Sequence, residues 1–529
     1  MGAKPLMIQG TMSGVGKSLL VAGLCRVLAQ DGVRVAPFKS QNMALNSAIT
    51  HEGLEIGRAQ AMQAEAAGIP ATAAMNPILL KPTTDVGSQV IVNGRPVGTM
   101  SAREYFGFRH TLRDAIADAY RELERDFDVV LIEGAGSPVE LNLKRDDIVN
   151  MGVARMLASP VLLAGDIDRG GVFAQLIGTL MLLEDDERRL VKATVVNKFR
   201  GDPTLFADGI RILRERTGLP VAGLVPFLHL DLDDEDSVSD RLDARASTGL
   251  VDVAVVRLPK ISNFTDFVVL DAMDDMSVRY VSKPSDLGRP DLIIIPGTKA
   301  TMADLLWMRT SGMEAAVIRA ARTGVSVLGI CGGYQMLGQS VEDPSGVEGS
   351  GVLAGMGLLP VRTVFGTDKR TTQVTGAFCQ VDGPLSALSG SSVVGYEIHQ
   401  GTTERLGGMP LVSVRDKYGA NGKVVAGEGA ARDTATVGDA AMIDATPPSH
   451  EDGCQQGNVY GCYLHGLFDD PAANRALLSA LLSAKGLDPN GAQSLDMAEY
   501  RRRQYDTLAD GIRRHMDLDL VYRIIEEGV

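Results

Sequence analysis

A glycine loop pinned between an apolar strand and a helix constrains this chain more than any other feature. Leu6-Met7-Ile8-Gln9 reads as a core strand, and Leu19–Gln30 carries a helical pattern. Between them runs Gly10-Thr11-Met12-Ser13-Gly14-Val15-Gly16-Lys17-Ser18. The glycines let the backbone curl so that successive N–H groups point inward, and the helix N-terminus adds partial positive charge. That arrangement cradles phosphates. Gly10, Thr11, Gly14 and Gly16 shape the cradle, Lys17 reaches the β- and γ-phosphates of ATP, and the Ser18 hydroxyl ligates Mg²⁺. Five residues, not the usual four, separate Gly10 from Gly16.

A phosphate site of this kind needs a second carboxylate on the metal side. Glu133 ends the apolar run Asp128–Ile132, and an acid at the end of a buried strand is costly unless it has work to do. Asp166 and Asp168, in VLLAGDIDRGG, are the next candidates for that role, or they cap the following helix. Asn197-Lys198, after the run Ala193–Val196, resembles the base-reading position of other phosphate-loop enzymes.

At 529 residues the chain exceeds one hydrophobic core, so two or more domains are expected. A formal charge of -14 argues against nucleic-acid binding, and an anionic substrate would need a local basic patch. Lys39, Arg58, Lys81, Arg95, Arg169 and Arg200 sit in polar segments suited to that. Five scattered cysteines without CxxC spacing suggest neither disulfides nor a zinc site and fit a reducing cytoplasm. No apolar run is long enough to span a bilayer, and the N-terminus reads as a strand rather than a signal peptide. An oligomer is compatible with the sequence.

Short apolar runs alternate with helical patterns, the mark of parallel sheets covered by helices. Strands are expected at 6–9, 33–38, 128–132, 161–164, 193–197 and 221–225. Asn93-Gly94 marks a hairpin within 88–98. The acidic stretch 231–250 reads as a linker after a first domain over 1–230. A second strand series, at 251–258, 291–298, 325–333 and 458–468, places another α/β domain over 251–485. Residues 403–457 read as a loop insertion, and 486–529 as a helical tail of mixed charge.

In the second domain, strand VSVLGI runs into Cys331-Gly332-Gly333 and a helix, a nucleophile elbow. The turn lifts the thiol out of the sheet, and the helix N-terminus favours its thiolate. The Gly332 N–H can donate to an oxyanion, with a second donor from Pro296-Gly297-Thr298 and Gly297 as its centre. A cysteine nucleophile needs a histidine base. His465, in GCYLHGLF, is best placed, with His399 in VGYEIHQG as its rival.

The order of the two sites resembles that of the cobyrinic/cobyric acid amide synthases. The likeness runs through KSQNMALNS (39–47), NPILLKPTTDVGSQVIVNG (76–94), EGAGSPVELNL (133–143), DIDRGGVFAQLIGTL (166–180), NKFRGD (197–202), PGTKATMADLLW (296–307), GICGGYQMLG (329–338), GYEIHQG (395–401) and YLHGLF (463–468). The resemblance implies a dethiobiotin synthetase-like phosphate-loop domain followed by a class I-like glutamine amidotransferase domain. It implies Cys331 and His465 as the glutaminase pair. The implied reaction is ATP-driven amidation, with ammonia from glutamine, of the b, d, e and g carboxylates of adenosylcobyrinic acid a,c-diamide. Amidation of the a and c carboxylates is the alternative, which DIDRGG and NKFRGD disfavour. A non-catalytic switch of the partitioning-ATPase kind would carry an extra lysine early in the loop, absent here. In related glutaminases a Glu follows the histidine by two residues and orients it. This chain has Leu467 there, so the orienting group is expected elsewhere. Cys462 stands where Thr is usual.

Overall fold

The computed structural model describes residues 2–82, 87–232, 249–349, 351–417 and 448–529. The chain forms two compact units, one of Met1–Thr50, Leu54–Glu235 and Ala498–Val529, the other of His51–Gly53 and Asp236–Met497. Most of the expected linker, 233–248, lies outside the described residues, as does 418–447 of the expected insertion.

In the first unit six parallel strands lie in the order Val221–Pro226, Val191–Phe199, Val161–Asp166, Lys4–Gly10, Val129–Glu133, Val35–Phe38. Their near-continuous apolar runs follow from burial on both faces. Met7 packs into one core cluster, while Leu6 and Ile8 pack into the other. The strand carrying the glycine loop is central, so its C-terminal end meets its neighbours' ends, where α/β sheets bind ligands. Asn93, at φ +46°, turns the hairpin between Gly87–Val92 and Arg95–Ser101, part of a separate four-stranded sheet.

The C-terminal helices Met497–His515 and Leu518–Glu527 belong to this first unit rather than standing as a separate tail. Tyr505, Leu508, Ala509 and Ile512 recur at helical spacing and join the cluster of the helix Lys17–Gln30. Arg26–Asp506 (2.8 Å) and Arg513–Asp31 (2.6 Å) flank that seam.

In the second unit, strands Met276–Val281, Val251–Val256, Leu292–Ile295, Ser326–Ile330 and Val459–Cys462 are parallel, and Cys454–Gln456 adds an antiparallel edge. A second sheet is built on a long hairpin of Val361–Phe378 with Ser392–Arg405. Val412–Asp416 and His450–Asp452 extend it. Thus the described flanks of the expected loop insertion are strands, with Val412, Val414 and Cys454 buried.

Candidate functional site

Cys331 stands between the strand Ser326–Ile330 and the helix Gly332–Leu337, at φ +52° and ψ −111°. A non-glycine residue at positive φ is strained, and such strain persists only where the surroundings enforce it. Here the Cys331 N–H donates to the Cys462 carbonyl at 2.9 Å, and its own carbonyl accepts from Gln335 N–H at 3.1 Å. Gly333 must lack a side chain, because a Cβ there would stand 1.9 Å from the Ile295 oxygen. Cys462, fully buried with its thiol pushed up first by burial, supports the elbow through its backbone.

His465 reaches the elbow from beyond the neighbouring strand Val459–Cys462. A β-bridge to Tyr396 fixes its backbone, and the Tyr396 ring stacks on the imidazole at 5.2 Å. Asp266 Oδ2 lies 2.6 Å from His465 Nδ1, and Gly466 N–H donates to Asp266 Oδ1 at 3.3 Å. Burial alone would depress the imidazole. The Asp266 carboxylate and then the nearby Cys331 overcome it and raise His465 from 6.5 to about 10, while the Cys331 thiol itself donates to Ile398 O at 3.6 Å. Asn263 places its amide 3.2 Å from Nε2, inside the same cage. Cys, His and Asp thus come together from three separate stretches of chain.

Asp266 is the orienting acid that the sequence left unnamed. It follows the first strand of its sheet, in ISNFTDF, 199 residues from His465. Its only local mark in the sequence is an acid set among the aromatics Phe264 and Phe267; its burial, which makes a partner necessary, shows only in the structure. Leu467, at the usual orienting position, is a core residue. The rival His399 stacks on Tyr463 at 3.6 Å and bonds Gly401 O at 3.2 Å; burial pushes it down to about 4.

Of the two expected oxyanion donors, Gly332 and Gly297, the first follows the thiol directly and the second lies on the turn beside His465. Gly332 N–H opens a helix and so has no partner within it. The bonds Ser262 N–Gly297 O (2.9 Å) and Lys299 N–Lys260 O (3.0 Å) bracket the Ile261–Thr298 bridge, which turns the Thr298 N–H away from Ile261. A Cβ on Gly332 would stand 3.2 Å from Thr298 N, whereas one on Gly297 would stand 3.0 Å from His465 Cε1. Thr298 therefore faces the neighbour of the thiol, and Gly297 faces the base. Asp304 ties this turn down by bonding the Thr298 hydroxyl and the Lys260 N–H.

In the first unit, Gly16 caps the helix Lys17–Gln30 at φ +89°, a backbone only glycine adopts freely. Asn197 lies against the loop, its amide donating to Val15 O at 2.8 Å, and Lys198 bonds Gly14 O. Thr11 bonds Gln175 at 3.1 Å, and Lys17 Nζ donates to Met12 O at 3.2 Å. Ser18 Oγ donates to Glu133 Oε1 at 2.9 Å, so the two oxygens expected at Mg²⁺ are adjacent. Lys39 Nζ also meets Glu133 Oε1 at 2.9 Å, and Gln63 meets Oε2 at 2.6 Å. Among the described residues no group of three or more His, Cys, Asp or Glu could hold a metal. A hydroxyl and one carboxylate nonetheless fit Mg²⁺, which takes one or two protein oxygens and completes its shell with phosphate and water. Asp166 is buried, 3.4 Å from Lys198, and Asp168 pairs with Arg200 at 2.6 Å. Lys81 is likewise engaged, with Glu55 at 2.7 Å.

The two sites define a glutamine amidotransferase joined to a nucleotide-binding domain. Residues 6–236 match the CobQ/CobB/MinD/ParA nucleotide binding domain, and 252–473 the CobB/CobQ-like glutamine amidotransferase domain. A cobyric acid synthase of Ruminiclostridium cellulolyticum is 51% identical, covering 100% of this chain and 98% of its own. That of Citrobacter koseri is 48% identical, covering 99% and 98%. The solved structure of PurLQS from Thermotoga maritima, 17% identical, covers 44% of this chain and 99% of its own at a TM-score of 0.29. This chain belongs to the cobyric acid synthase family. Among the described residues no helix is long and apolar enough to cross a membrane.

Proposed function

We propose that the chain uses ATP and glutamine to amidate the b, d, e and g carboxylates of adenosylcobyrinic acid a,c-diamide. The observation that carries this reading is full-length likeness to cobyric acid synthases, joined to a Cys–His–Asp cage in one unit and a phosphate loop in the other.

At the first site the Cys331 thiolate attacks the side-chain carbonyl carbon of glutamine. Gly332 N–H and Thr298 N–H stabilise the oxyanion, and the imidazolium of His465 gives its proton to the departing ammonia. Water, deprotonated by His465, then cleaves the thioester to glutamate. Asp266 holds Nδ1–H throughout, leaving Nε2 for the reaction.

At the second site the loop amides and Lys17 hold the ATP phosphates, and the substrate carboxylate oxygen takes the γ-phosphoryl group. Ammonia attacks that acyl phosphate and phosphate departs, because a free carboxylate has no comparable leaving group. Ser18 and Glu133 would hold Mg²⁺, which neutralises phosphate charge when bound. Asn197 and Lys198 brace the loop. The binding of Arg58, Arg95 or Arg169 to substrate is part of the same proposal.

The test is incubation of purified protein with ATP, Mg²⁺, glutamine and adenosylcobyrinic acid a,c-diamide, with mass spectrometry of the corrinoid. Four successive gains of one amide each are expected. Product formed only from the unamidated acid would instead assign the a,c-diamide reaction.

A further inference from the structure

A cavity of about 690 Å³ opens beside the phosphate loop of the first unit. None of the groups assigned above to ATP, apart from the loop's Ser13, lines it. Leu80, Met100, Ile148 and Val149 form apolar wall, and Ser13 of the phosphate loop and Gly136 line it as well. A Cβ on Gly136 would find Ser13 Oγ 3.8 Å away as its nearest neighbour, so the gap there is narrow but open.

Two further observations mark this cavity as built for a ligand. Met43, Phe106 and Leu143 line it while 56%, 44% and 42% exposed, and exposed apolar side chains gathered at one cavity signal a missing apolar partner. Arg109 also lines it, with its guanidinium 4.2 Å over the Phe106 ring. Among the described residues Arg109 Nε is buried and has no hydrogen-bond partner, and Asp146 approaches the guanidinium only at 3.6 Å. A buried donor without an acceptor is costly unless a ligand supplies one. The guanidinium fork suits a carboxylate.

We propose that this cavity seats the substrate's macrocycle, with the Phe106 face against the ring and Arg109 holding a peripheral carboxylate other than the one being phosphorylated. Resting on the function proposed above, this assignment adds where the acid binds and what reads it. Because Ser13 belongs to the phosphate loop, its side of the cavity is where the reacting carboxylate would meet the γ-phosphate, since the reacting atoms must come within about 3–3.5 Å. A broad apolar wall has no work to do for phosphate or ammonia. An acidic macrocycle needs both that wall and a cation. With a net charge of -14 on the chain, that cation must be local.

The test uses Phe106→Ala, Arg109→Gln and Arg109→Lys in the full chain, with steady-state constants for corrinoid and ATP and the glutaminase rate. At least a tenfold rise in corrinoid KM is expected for Phe106→Ala and Arg109→Gln. ATP KM and glutaminase rate should stay within twofold, and Arg109→Lys should recover part of the loss. Phe106 is exposed, so its variant keeps the question open to measurement even if Arg109→Gln fails to fold. A raised ATP KM with unmoved corrinoid KM would make the cavity a nucleotide-base site and overturn the assignment. If the wild type amidates corrinoid and neither variant changes its KM, the cavity assignment alone falls. If the wild type amidates no corrinoid, the proposed function falls first.

Discussion

At the scale of single residues, Asp266 is the most informative position. It holds His465 protonated at Nδ1 and raises its pKa, so Asp266→Asn should let the ring turn and lose its charge. Glutamine hydrolysis should fall on the order of 10²–10⁴-fold, while synthesis from free ammonia holds its rate. Measuring both rates on one preparation checks this; equal loss of both would make Asp266 a folding residue only. The same pair sets a pH dependence. A histidine whose folded pKa is raised from 6.5 to about 10 stabilises the fold fully below 6.5 and ceases to do so as pH rises through 10. The melting temperature of the wild type should therefore fall towards that of Asp266→Asn between neutral pH and pH 10. Cys331 and its helix were legible in the sequence because an elbow is a local pattern. Asp266 was not, because nothing local pairs residues 199 positions apart.

At the scale of elements, all the parallel strands of the two site-bearing sheets but the edge strand Met276–Val281, whose MSVRYV mixes in polar residues, were legible from apolar runs and their turns. The long hairpin Val361–Phe378 with Ser392–Arg405 was not. It is rich in Thr and charged residues, and its half-buried faces never make the continuous apolar run that marks a central strand. The turn 297–299 makes a further prediction. Asp304 is pushed up to about 6, first by burial, yet it bonds both Thr298 and Lys260. Asp304→Ala should loosen the Thr298 donor and lower glutaminase kcat by about 10-fold or more with little change in KM for glutamine, since the donor acts on the transition state. A change in KM alone would place Asp304 at the substrate instead. The C-terminal helices allow a stability test. Ile512 is fully buried against the helix Lys17–Gln30, so Ile512→Ala should cost about 2–5 kcal/mol. Denaturant titration reads that directly, and a loss below ~1 kcal/mol would mean these helices dock only loosely.

At the scale of the whole molecule, each unit has its own sheet and its own chemistry, which makes the two half-reactions separable. Cys331 and His465 lie on the second unit, Lys17 and Ser18 on the first. Cys331→Ala removes the sulfur proposed to form the thioester, so glutamine-supported amidation should vanish. Ammonium salts should still support it, because the acyl phosphate forms without the thiol. Lys17→Ala removes the charge that meets the phosphates. Amidation should then fail from either nitrogen source while glutamine is still hydrolysed. The four rates, measured with glutamate release and corrinoid mass as separate readouts, form a crossed design. If Cys331→Ala also lost the ammonia-supported reaction, the thiol would be needed for the shape of the synthase site. If Lys17→Ala silenced glutamine hydrolysis, nucleotide at the first unit would be gating the thiol in the second. Two units that each carry their own site favour neither outcome; they favour two variants that both lose glutamine-supported amidation, one keeping the ammonia-supported reaction and the other keeping glutamine hydrolysis.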